Sequence, residues 1–586
     1  MLKLLKNLRK REIIYALICI TLVASHVWLE LKIPDYMSGI TRLVQTEGSK
    51  MSEILYQGGM MILCAFISLV CNIVTGFFSA RVASGFSASL RKKIFEKVEN
   101  MGIAEVKKFS TSSLITRTTN DVMQVEMLIG MGLHGMVKAP VMAVSAIFKI
   151  LNKGFEWSIL VACCVSVLMT VVVTLMIIVL PRFEKVQKLI DRINGVTREN
   201  LSGIRVIRAF NAEKYQTDKF KNVNDDLTRM QLFNQRCFAL MNPVMTLVHH
   251  ALVLGIYIIG AILITKAGMS DKVTLFSNMV VFSSYGMHVI MSFLVLSFIF
   301  MMIPRAQISA KRINEVLDEE ISVVEGNFNG KTKEIGTVEF KNVSFKYPDA
   351  DEYVLENISF KVKKGETIAF IGSTGSGKST LINLVPRFYD ASVGEVLVDG
   401  VNVKDYKLKD LHNKLGYVPQ RAVMFTGTVS SNVSYGDNGK EEISLDKIKE
   451  AVKVAQGEEF VSKMEDTYDA HIARGGTNVS GGQKQRLAIA RAIARDPEIY
   501  IFDDSFSALD YKTDALLRKE LRKYTKDATC MIVAQRIGTI INADKIVVLD
   551  EGKCVGIGTH KELLKSCKVY KEIALSQLSK EELENA

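Results

Sequence analysis

Long apolar stretches dominate the first half of the chain. Each is long enough for a helix that crosses a hydrocarbon core of about 30 Å, which takes roughly 20 predominantly apolar residues. The six stretches are residues 13–33, 56–82, 127–150, 157–180, 238–265 and 275–303. The third stretch is the weakest candidate, because it contains Lys138 and Lys149. The pattern predicts an all-α domain of six transmembrane helices.

The connections between these stretches are uneven in length. Stretches three and four are nearly continuous, as are five and six, whereas residues 83–126 and 181–237 form two long connections. Both carry apolar residues at helical spacing among charged ones. At 1.5 Å per residue, each arm of such a helical hairpin would extend some 30–40 Å beyond the bilayer.

Lysine and arginine are frequent in the two long connections and at the N-terminus, and this charge predicts the orientation. Under the positive-inside rule, the N-terminus and the hairpins would lie in the cytoplasm, and an even number of spans leaves the second half there too. The basic-then-apolar order also fits a signal peptide. The apolar run continues to about Ile33 and more spans follow, so we favour a multi-pass protein of a bacterial-type cytoplasmic (inner) membrane.

The second half of the chain has a different pattern. From about Gly336, short β-like runs such as TVEFKNVSF, ETIAFIG and EIYIFDD alternate with helical segments, which is typical of an α/β fold with a mainly parallel sheet. A polar, glycine-rich stretch, GNFNGKTKEIG, precedes them. We expect a transmembrane domain at 1–318, a linker at 319–335, an α/β domain at 336–575 and a C-terminal tail at 576–586.

Composition narrows the class of protein. The chain is 48% hydrophobic and has a formal net charge of +12. A basic balance suits nucleic acid or a membrane surface. The apolar stretches and the lack of a nucleic-acid recognition motif favour the membrane, with no nucleic-acid partner. The nine cysteines are scattered without a C-x-x-C pair, which argues against a disulfide framework and against a zinc site.

The segment ETIAFIGSTGSGKSTLINLV contains the G-x4-G-K-S pattern of a P-loop, between a predicted strand and a predicted helix. Glycines let successive backbone N–H groups point at phosphate oxygens, and the helix N-terminus favours anions. Lysine is expected at the β- and γ-phosphates and serine at Mg²⁺. The candidate nucleotide contacts are Gly372, Ser373, Thr374, Gly375, Ser376, Gly377, Lys378, Ser379 and Thr380.

Two further motifs complete this constellation. Asp503 ends the apolar strand IYIFD, where a carboxylate beside a P-loop is the expected partner of Mg²⁺. The turn Ser480-Gly481-Gly482-Gln483 opens a helix and would form a second phosphate-binding N-terminus. One P-loop needs only one γ-phosphate cradle, so the second cradle suggests an ATP shared between two such domains.

In these motifs and their order, the chain resembles an ABC transporter half, a type IV exporter-type membrane domain fused to its nucleotide-binding domain. The resemblance covers nearly the whole chain. It implies an ATPase coupled to transmembrane transport, with ATP and Mg²⁺ as cofactors. It also implies that GIRVIRAFNAEKYQ begins the second coupling helix. Arg474 departs from the common exporter form, which has a glutamate there.

The resemblance assigns roles to further residues. Tyr347 in FKYPD is similar to the aromatic residue that stacks on adenine. Gln420 in LGYVPQ is similar to the Q-loop glutamine, which contacts Mg²⁺ and water. The D-loop, which touches the partner domain, is implied at Ser507, Ala508, Leu509 and Asp510.

Asp504 and Gln535 stand where the family usually has a glutamate that polarises the attacking water and a histidine. Asp504 keeps the charge, but one methylene fewer moves its oxygens back by about 1.5 Å. Misplacement of roughly 1 Å can cost about 100-fold in rate. A glutamine amide donates a hydrogen bond but never becomes cationic. We therefore predict a degenerate site that binds ATP and hydrolyses it slowly.

In a homodimer, both copies of the intact Ser480 turn would face a slow ATP site. We therefore predict a heterodimer. Its second ABC half would supply the catalytic glutamate and histidine, an arrangement that resembles the heterodimeric bacterial multidrug exporters. That resemblance implies hydrophobic, amphipathic small molecules as substrates. A lipid or glycolipid flippase and a peptide exporter are alternatives on the same scaffold, and an ATP-gated channel or a sensor is a less favoured one.

Several polar residues within the apolar stretches are candidates for lining a cavity, because ionisable groups are costly in hydrocarbon. Others lie near the ends of the spans, where snorkelling to the interface also accounts for them. The residues in question are His26, Glu30, His134, Lys149, His249, His250 and His288.

Overall fold

The computed structural model describes residues 2–46, 48–151 and 154–578. Within these residues the chain forms two compact units. The first takes in the described parts of Met1–Glu99 and Ser112–Glu319, and the second takes in Asn100–Thr111 and the described part of Glu320–Ala586.

The described part of the first half of the chain is helical. One π-helical turn, Arg117–Asp121, lies between two of the helices. The helices are α1 (Leu2–Leu5), α2 (Lys10–Gln45), α3 (Met51–Glu99), α4 (Ile103–Phe109), α5 (Thr111–Thr116), α6 (Val122–Leu151), α7 (Phe155–Ala209), α8 (Glu213–Ala239), α9 (Met241–Lys266) and α10 (Met269–Leu317).

Six helical stretches of the described chain are long and apolar enough to cross a membrane, which confirms the six predicted spans. The helices continue well beyond the apolar stretches, since α3 has 49 residues and α7 has 55. At 1.5 Å per residue these lengths correspond to roughly 70–80 Å, more than twice the hydrocarbon thickness of a bilayer. The two helices therefore supply long arms outside the apolar region.

Burial separates two faces of the membrane unit. The interior includes Trp157, whose Nε1 donates a hydrogen bond to the Ile256 carbonyl at 3.1 Å and whose ring packs 5.0 Å from that of Phe282. On α3, by contrast, Ile62 and Phe66 are 73% and 63% exposed. Large apolar side chains one helical turn apart on an outer face suit contact with lipid.

The second unit combines two main sheets with short helices. Its strands are β1 (Val338–Phe345), β2 (Leu355–Val362), β3 (Thr367–Gly372), β4 (Val393–Val398), β5 (Val401–Asn402), β6 (Leu415–Val418), β7 (Gly427–Thr428), β8 (His471–Ile472), β9 (Ile499–Asp503), β10 (Thr529–Val533), β11 (Lys545–Asp550) and β12 (Lys553–Gly558). Its helices are α11 (Lys378–Ile382), α12 (Leu408–Asn413), α13 (Val429–Val433), α14 (Leu445–Val454), α15 (Glu458–Ser462), α16 (Gly481–Ala494), α17 (Tyr511–Tyr524), α18 (Ile537–Ile540), α19 (His560–Ser566) and α20 (Lys568–Gln577).

The larger sheet has the order β12-β11-β3-β10-β9-β6 and is parallel except for the edge strand β12. The smaller sheet, β2-β1-β4-β5, is antiparallel. The predicted α/β domain with a mainly parallel sheet is thereby confirmed. All five residues of β9 are buried, as expected of a central parallel strand covered on both faces.

The register of the larger sheet places the site. Val533 of β10 pairs with Asp503 of β9 on one side and with Phe370 of β3 on the other. The carboxyl ends of the three strands therefore meet at one edge of the sheet. In open α/β sheets this edge is where ligands bind.

The segment Asn100–Thr111 belongs to the second unit although it follows α3 in the chain. Ile103 and Ala104 of α4 pack against the apolar core that β1–β4 build. The carboxylate of Glu105 accepts a hydrogen bond from the Ser322 backbone N–H at 3.1 Å. The second unit is thus assembled from two separate parts of the chain.

Candidate functional site

The P-loop connects β3 to α11 in a tight curl. Gly375 and Gly377 have φ values of 88° and 91°, the left-handed region that glycine tolerates best. A Cβ at Gly377 would come within 2.7 Å of the Leu355 side chain, so only glycine fits there without a shift. Lys378 Nζ donates to the carbonyls of Gly372, at 3.0 Å, and Ser373, at 2.7 Å. The ammonium thus lies folded over the loop.

Ser379 and Asp503 meet directly. Ser379 Oγ donates a hydrogen bond of 2.8 Å to Asp503 Oδ1. Burial raises the pKa of the Asp503 carboxyl, and the hydrogen bond from Ser379 opposes this. A hydroxyl and a carboxylate side by side are the hard oxygen ligands that Mg²⁺ prefers, so the pair fits the metal of a bound nucleotide.

Asp504, Gln420 and Gln535 also come together. Asp504 Oδ2 accepts from Gln535 Nε2 at 2.9 Å and from Gln420 Nε2 at 3.3 Å. The Asp504 backbone has a φ of 45°, and its carbonyl accepts from Ser507 Oγ at 2.8 Å. Aspartate is among the residues that tolerate this left-handed region better than most. A single carboxylate oxygen of Asp504 therefore accepts hydrogen bonds from the side-chain amides of both Gln535 and Gln420.

The charges of the site are partly desolvated. Burial lowers the pKa of the Lys378 ammonium, and the nearby carboxylates of Asp504 and Asp503 oppose that change. Burial also raises the pKa of the Asp504 carboxyl, against the effect of the hydrogen bonds it accepts. A phosphate group brought here would meet a positive group that is incompletely solvated, which strengthens its attraction.

Tyr347 lies beside the C-terminal end of the P-loop, where its hydroxyl and Thr380 Oγ1 are 2.9 Å apart. Its ring meets that of Tyr389 edge to face at 5.3 Å. Lys107 of α4 places its Nζ 5.7 Å from the Tyr347 ring centroid and 5.8 Å from that of Tyr389. Neither Lys107 nor Tyr389 is predicted from the sequence, since no local motif links either residue to the site.

The Ser480 turn caps α16. Ser480 Oγ accepts from the Gln483 backbone N–H at 3.3 Å, while Gln483 Oε1 accepts from the Ser480 N–H at 2.8 Å. This reciprocal capping box commits both side chains to the helix end. A Cβ at Gly482 would lie 3.4 Å from the Ala508 carbonyl oxygen, so the turn borders the predicted D-loop.

The rest of the predicted D-loop leads into the next helix. Leu509 is buried, and Asp510 caps α17 by accepting from the Thr513 backbone N–H at 3.0 Å. Arg474 lies in a short turn just before the Ser480 turn. In the described chain, no group of three or more histidine, cysteine, aspartate or glutamate side chains is arranged to hold a metal ion by itself.

Comparisons with known proteins agree with this geometry. The family described as ABC transporter transmembrane region matches residues 13–293, and the family described as ABC transporter matches residues 355–507. An uncharacterized ABC transporter ATP-binding protein of Mycobacterium tuberculosis (strain CDC 1551 / Oshkosh) is 39% identical over 90% of this chain and 90% of its own. An ATP-dependent lipid A-core flippase of Haemophilus influenzae (strain ATCC 51907 / DSM 11121 / KW20 / Rd) is 31% identical over 89% and 87%.

A solved structure gives the same fold. A bacterial Atm1-family ABC exporter with ATP bound superposes with a TM-score of 0.81, covering 97% of this chain and 99% of its own. Its sequence identity is 23%, so the likeness concerns the fold alone.

Six membrane-spanning helices joined to a P-loop ATPase unit with a capped Ser-Gly-Gly-Gln turn define an ABC half-transporter. The chain belongs to the ABC transporter family. It is a multi-pass membrane protein with a nucleotide-binding ATPase unit coupled to transport, and it has the architecture of an exporter half, which implies a dimer.

Proposed function

We propose that this chain exports amphipathic small molecules as one half of a heterodimeric ABC exporter, and that its own ATP site is the slow one. The observation that carries the proposal is the position of Asp504. Its Oδ2 accepts hydrogen bonds from both Gln535 and Gln420, at the place where the family usually has a longer acid and a histidine.

The residues of the site fit ATP with Mg²⁺. The P-loop backbone from Gly372 to Gly377 and the Lys378 ammonium would hold the phosphates, and Tyr347 would stack on the adenine. Ser379, Asp503 and Gln420 would hold Mg²⁺, which neutralises phosphate charge. Because Lys378 is already folded over the loop, little rearrangement is needed for it to reach an anion.

Hydrolysis asks more of the site than binding does. A general base must lie within hydrogen-bond reach of the water it activates. The Asp504 side chain is shorter than the usual glutamate. One of its carboxylate oxygens already accepts hydrogen bonds from the amide nitrogens of Gln535 and Gln420, which act only as donors. Gln535 also adds no cationic charge beside a γ-phosphate. We infer strong nucleotide binding with slow turnover at this site.

The intact Ser480 turn would serve a second site, on the P-loop of the partner. We propose that the partner is a different ABC half that carries the catalytic glutamate and histidine. To test this, the tagged chain is purified from its native host and its partner is identified by mass spectrometry. The partner's catalytic glutamate is then changed to glutamine, which should abolish nearly all ATPase activity, whereas Asp504→Asn should leave most of it. A pure homodimer with full ATPase activity would refute the heterodimer.

A lipid or glycolipid flippase is the second candidate, because relatives that are 30–32% identical to this chain are named as ATP-dependent lipid A-core flippases. The two candidates differ in what stimulates the ATPase. Reconstituted protein that responds to added glycolipid and moves a labelled lipid between leaflets would favour the flippase. A response confined to amphipathic small molecules would favour the exporter. We also propose that the N-terminus and the ATPase unit face the cytoplasm of a bacterial inner membrane.

A further inference from the structure

A cluster of ionisable side chains lies inside the membrane unit, apart from the ATPase site. We call it the α2–α6–α10 cluster. Its members are His26 and Glu30 on α2, His134 and Lys138 on α6, and His288 on α10. All five lie in helices that are apolar enough to span a membrane. Ionisable residues there are expensive and are functional candidates by default.

Glu30 stands at the centre of the cluster. Its Oε2 lies 3.2 Å from Lys138 Nζ and 3.2 Å from His26 Nε2, and its Oε1 lies 4.0 Å from His288 Nδ1. Lys138 and His26 thus both approach the same buried carboxylate oxygen. The Lys138 ammonium is paired with this carboxylate, and another anion could compete for it.

A second ion pair joins the same helices and serves as a comparison for the cluster. Asp35 on α2 pairs with Lys149 on α6, and Tyr285 on α10 donates to Asp35 Oδ1 at 2.8 Å. That set balances one carboxylate with one ammonium. The α2–α6–α10 cluster has one carboxylate for one ammonium and adds three imidazoles, whose ring N–H groups are possible donors to an anion.

The cluster is also partly exposed. The side chains of Glu30, Lys138 and His288 are 25%, 29% and 25% exposed. Charged groups within membrane spans almost always face the bundle interior or a water-filled cavity, so this partial exposure suits a cavity. His26 is buried, with Nδ1 2.7 Å from Ser68 Oγ. The cluster therefore combines partly exposed charged side chains with one buried histidine that Ser68 holds in place.

We propose that the α2–α6–α10 cluster binds the anionic group, a carboxylate or a phosphate, of an amphiphilic ligand. Lys138 is the principal contact, and Glu30 is the internal counter-ion that the ligand displaces. The histidines add N–H donors. This inference names the substrate class of the proposed export function and rests on it, although the binding step itself needs no ATP hydrolysis.

The test compares four probes with the same alkyl chain: dodecyl phosphate, dodecanoate, dodecyl maltoside and dodecyltrimethylammonium. Binding is measured without ATP, on the full-length chain with its co-purified partner, in phosphatidylcholine nanodiscs. The two anionic probes should bind more tightly than the neutral and cationic ones. Lys138→Gln should weaken their binding roughly tenfold or more, the cost of one lost hydrogen bond to a charged group.

Glu30→Gln gives the result that separates this proposal from its rivals. Removing the competing carboxylate should tighten binding of the anionic probes by severalfold. If Lys138→Gln and Glu30→Gln both weaken binding, the pair is only structural and the proposal is wrong. If the cationic probe binds best and Glu30→Gln abolishes that binding, the site takes cations and the proposal is also wrong.

Two variants keep the test decisive. Lys149→Gln removes an ammonium from the same helix outside the cluster and should leave probe binding unchanged. Lys138→Arg retains the charge and should retain binding; loss of binding in a folded Lys138→Arg protein contradicts a role in charge recognition. This second variant also covers the case in which Lys138→Gln fails to assemble.

The source of the anion is resolved by lipid composition. If phosphatidylglycerol in the nanodisc competes with dodecyl phosphate, the ligand is an anionic lipid headgroup; without competition, it is a soluble amphiphile. Because binding is measured without ATP, a failure of the slow-site or heterodimer proposals would leave these results intact. Conversely, a failed binding test would leave the ATPase assignments standing.

Discussion

At the level of single residues, the short Asp504 side chain is the reason we expect slow hydrolysis at this site. We therefore predict that restoring the family's usual residues speeds hydrolysis. The double substitution Asp504→Glu, Gln535→His lengthens the acid and restores an imidazole. In a pair whose partner carries a glutamine in place of its catalytic glutamate, we expect turnover to rise at least about tenfold, which needs roughly 1.4 kcal/mol of barrier. The measurement is steady-state ATPase activity of the purified pair.

The single substitutions serve as controls, because either alone leaves one departure in place. If the double mutant stays at background while it still binds ATP, the cause of slow hydrolysis lies in the partner's turn. If the unmodified chain already turns over rapidly in that background, the site is not slow.

A substitution at Lys378 distinguishes nucleotide binding at this chain's site from transport by the pair. Its ammonium lies over the P-loop, 2.7 Å from the Ser373 carbonyl, in the position to hold phosphate. We expect Lys378→Ala to weaken nucleotide binding at this chain's site while partial transport remains, because the partner's site carries most of the turnover. Photolabelling with an azido-ATP analogue measures the first effect, and transport into vesicles measures the second. The matched control is the P-loop lysine of the partner, whose loss should stop transport; equal loss in both mutants would contradict the asymmetry.

The limits of sequence reasoning are clear at this scale. The P-loop motif is local, so a few consecutive residues reveal it. The bonds from Gln420 and Gln535 to Asp504 join three separate loops, and no local pattern contains them. The same holds for Lys107, which reaches Tyr347 from a distant part of the chain. The shortness of the acid was visible in the sequence, whereas its double hydrogen bonding was not.

Among the helices, α16 has a role that depends on its first turn. A Cβ at Gly482 would be in van der Waals contact with the Ala508 carbonyl oxygen, so this turn borders the predicted D-loop. We expect Ser480→Arg to reduce the ATPase activity of the pair far more than Asp504→Asn does, since the turn should serve the fast site and Asp504 the slow one. Activity that survives Ser480→Arg but not Asp504→Asn would reverse the assignment.

The π-helical turn before α6 is tied to α10. Asp121 in this turn is buried and accepts from Ser309 Oγ at 2.9 Å, with Arg312 Nε at 3.4 Å. We expect Asp121→Ala to destabilise the membrane unit by roughly 1–3 kcal/mol, because it leaves the buried Ser309 hydroxyl without its acceptor and Arg312 without its ion-pair partner. Thermal unfolding and limited proteolysis would show the effect.

The matched control for Asp121 is Asp226, which pairs with Arg229 at 2.7 Å on α8. That pair is exposed, and such pairs contribute about 0–1 kcal/mol. Asp226→Ala should therefore leave the unfolding midpoint nearly unchanged. Equal destabilisation by the two substitutions would show that the π-helical turn is not held by Asp121.

At the scale of elements, the sequence predicted the buried ones best. The six apolar stretches are continuous because a membrane span is apolar towards lipid as well as towards the protein interior. The runs that became β3 and β9 are continuous because both faces of these strands are covered. β2 and β12 were not predicted. They lie at the edges of their sheets; β2 mixes buried with exposed residues and β12 has only partly or fully exposed ones, so their local apolar signal is weak. The helix ends were equally hard to place, since the helices continue past the apolar stretches as amphipathic arms.

For the whole molecule, the family and the exporter architecture follow from motifs that are spread along the chain. The identity of the cargo does not, because the residues that would recognise it come from three helices that pack together only in the folded unit. His26, Glu30 and His288 were visible as polar residues within apolar stretches. Only the structure placed His26, His288 and Lys138 around Glu30.

The membership of Asn100–Thr111 in the second unit has a consequence for how the protein is made. The ribosome delivers α4 long before it delivers the core of the second unit, to which β1–β4 contribute and against which Ile103 and Ala104 pack. Until that core forms, the apolar side chains of Ile103 and Ala104 have no surface of the second unit to pack on. A C-terminal fragment beginning near residue 320 would likewise expose a bare docking patch. We expect it to be poorly soluble alone and to recover solubility when a peptide of residues 100–111 is supplied, with an Ile103→Asp peptide as the inactive control.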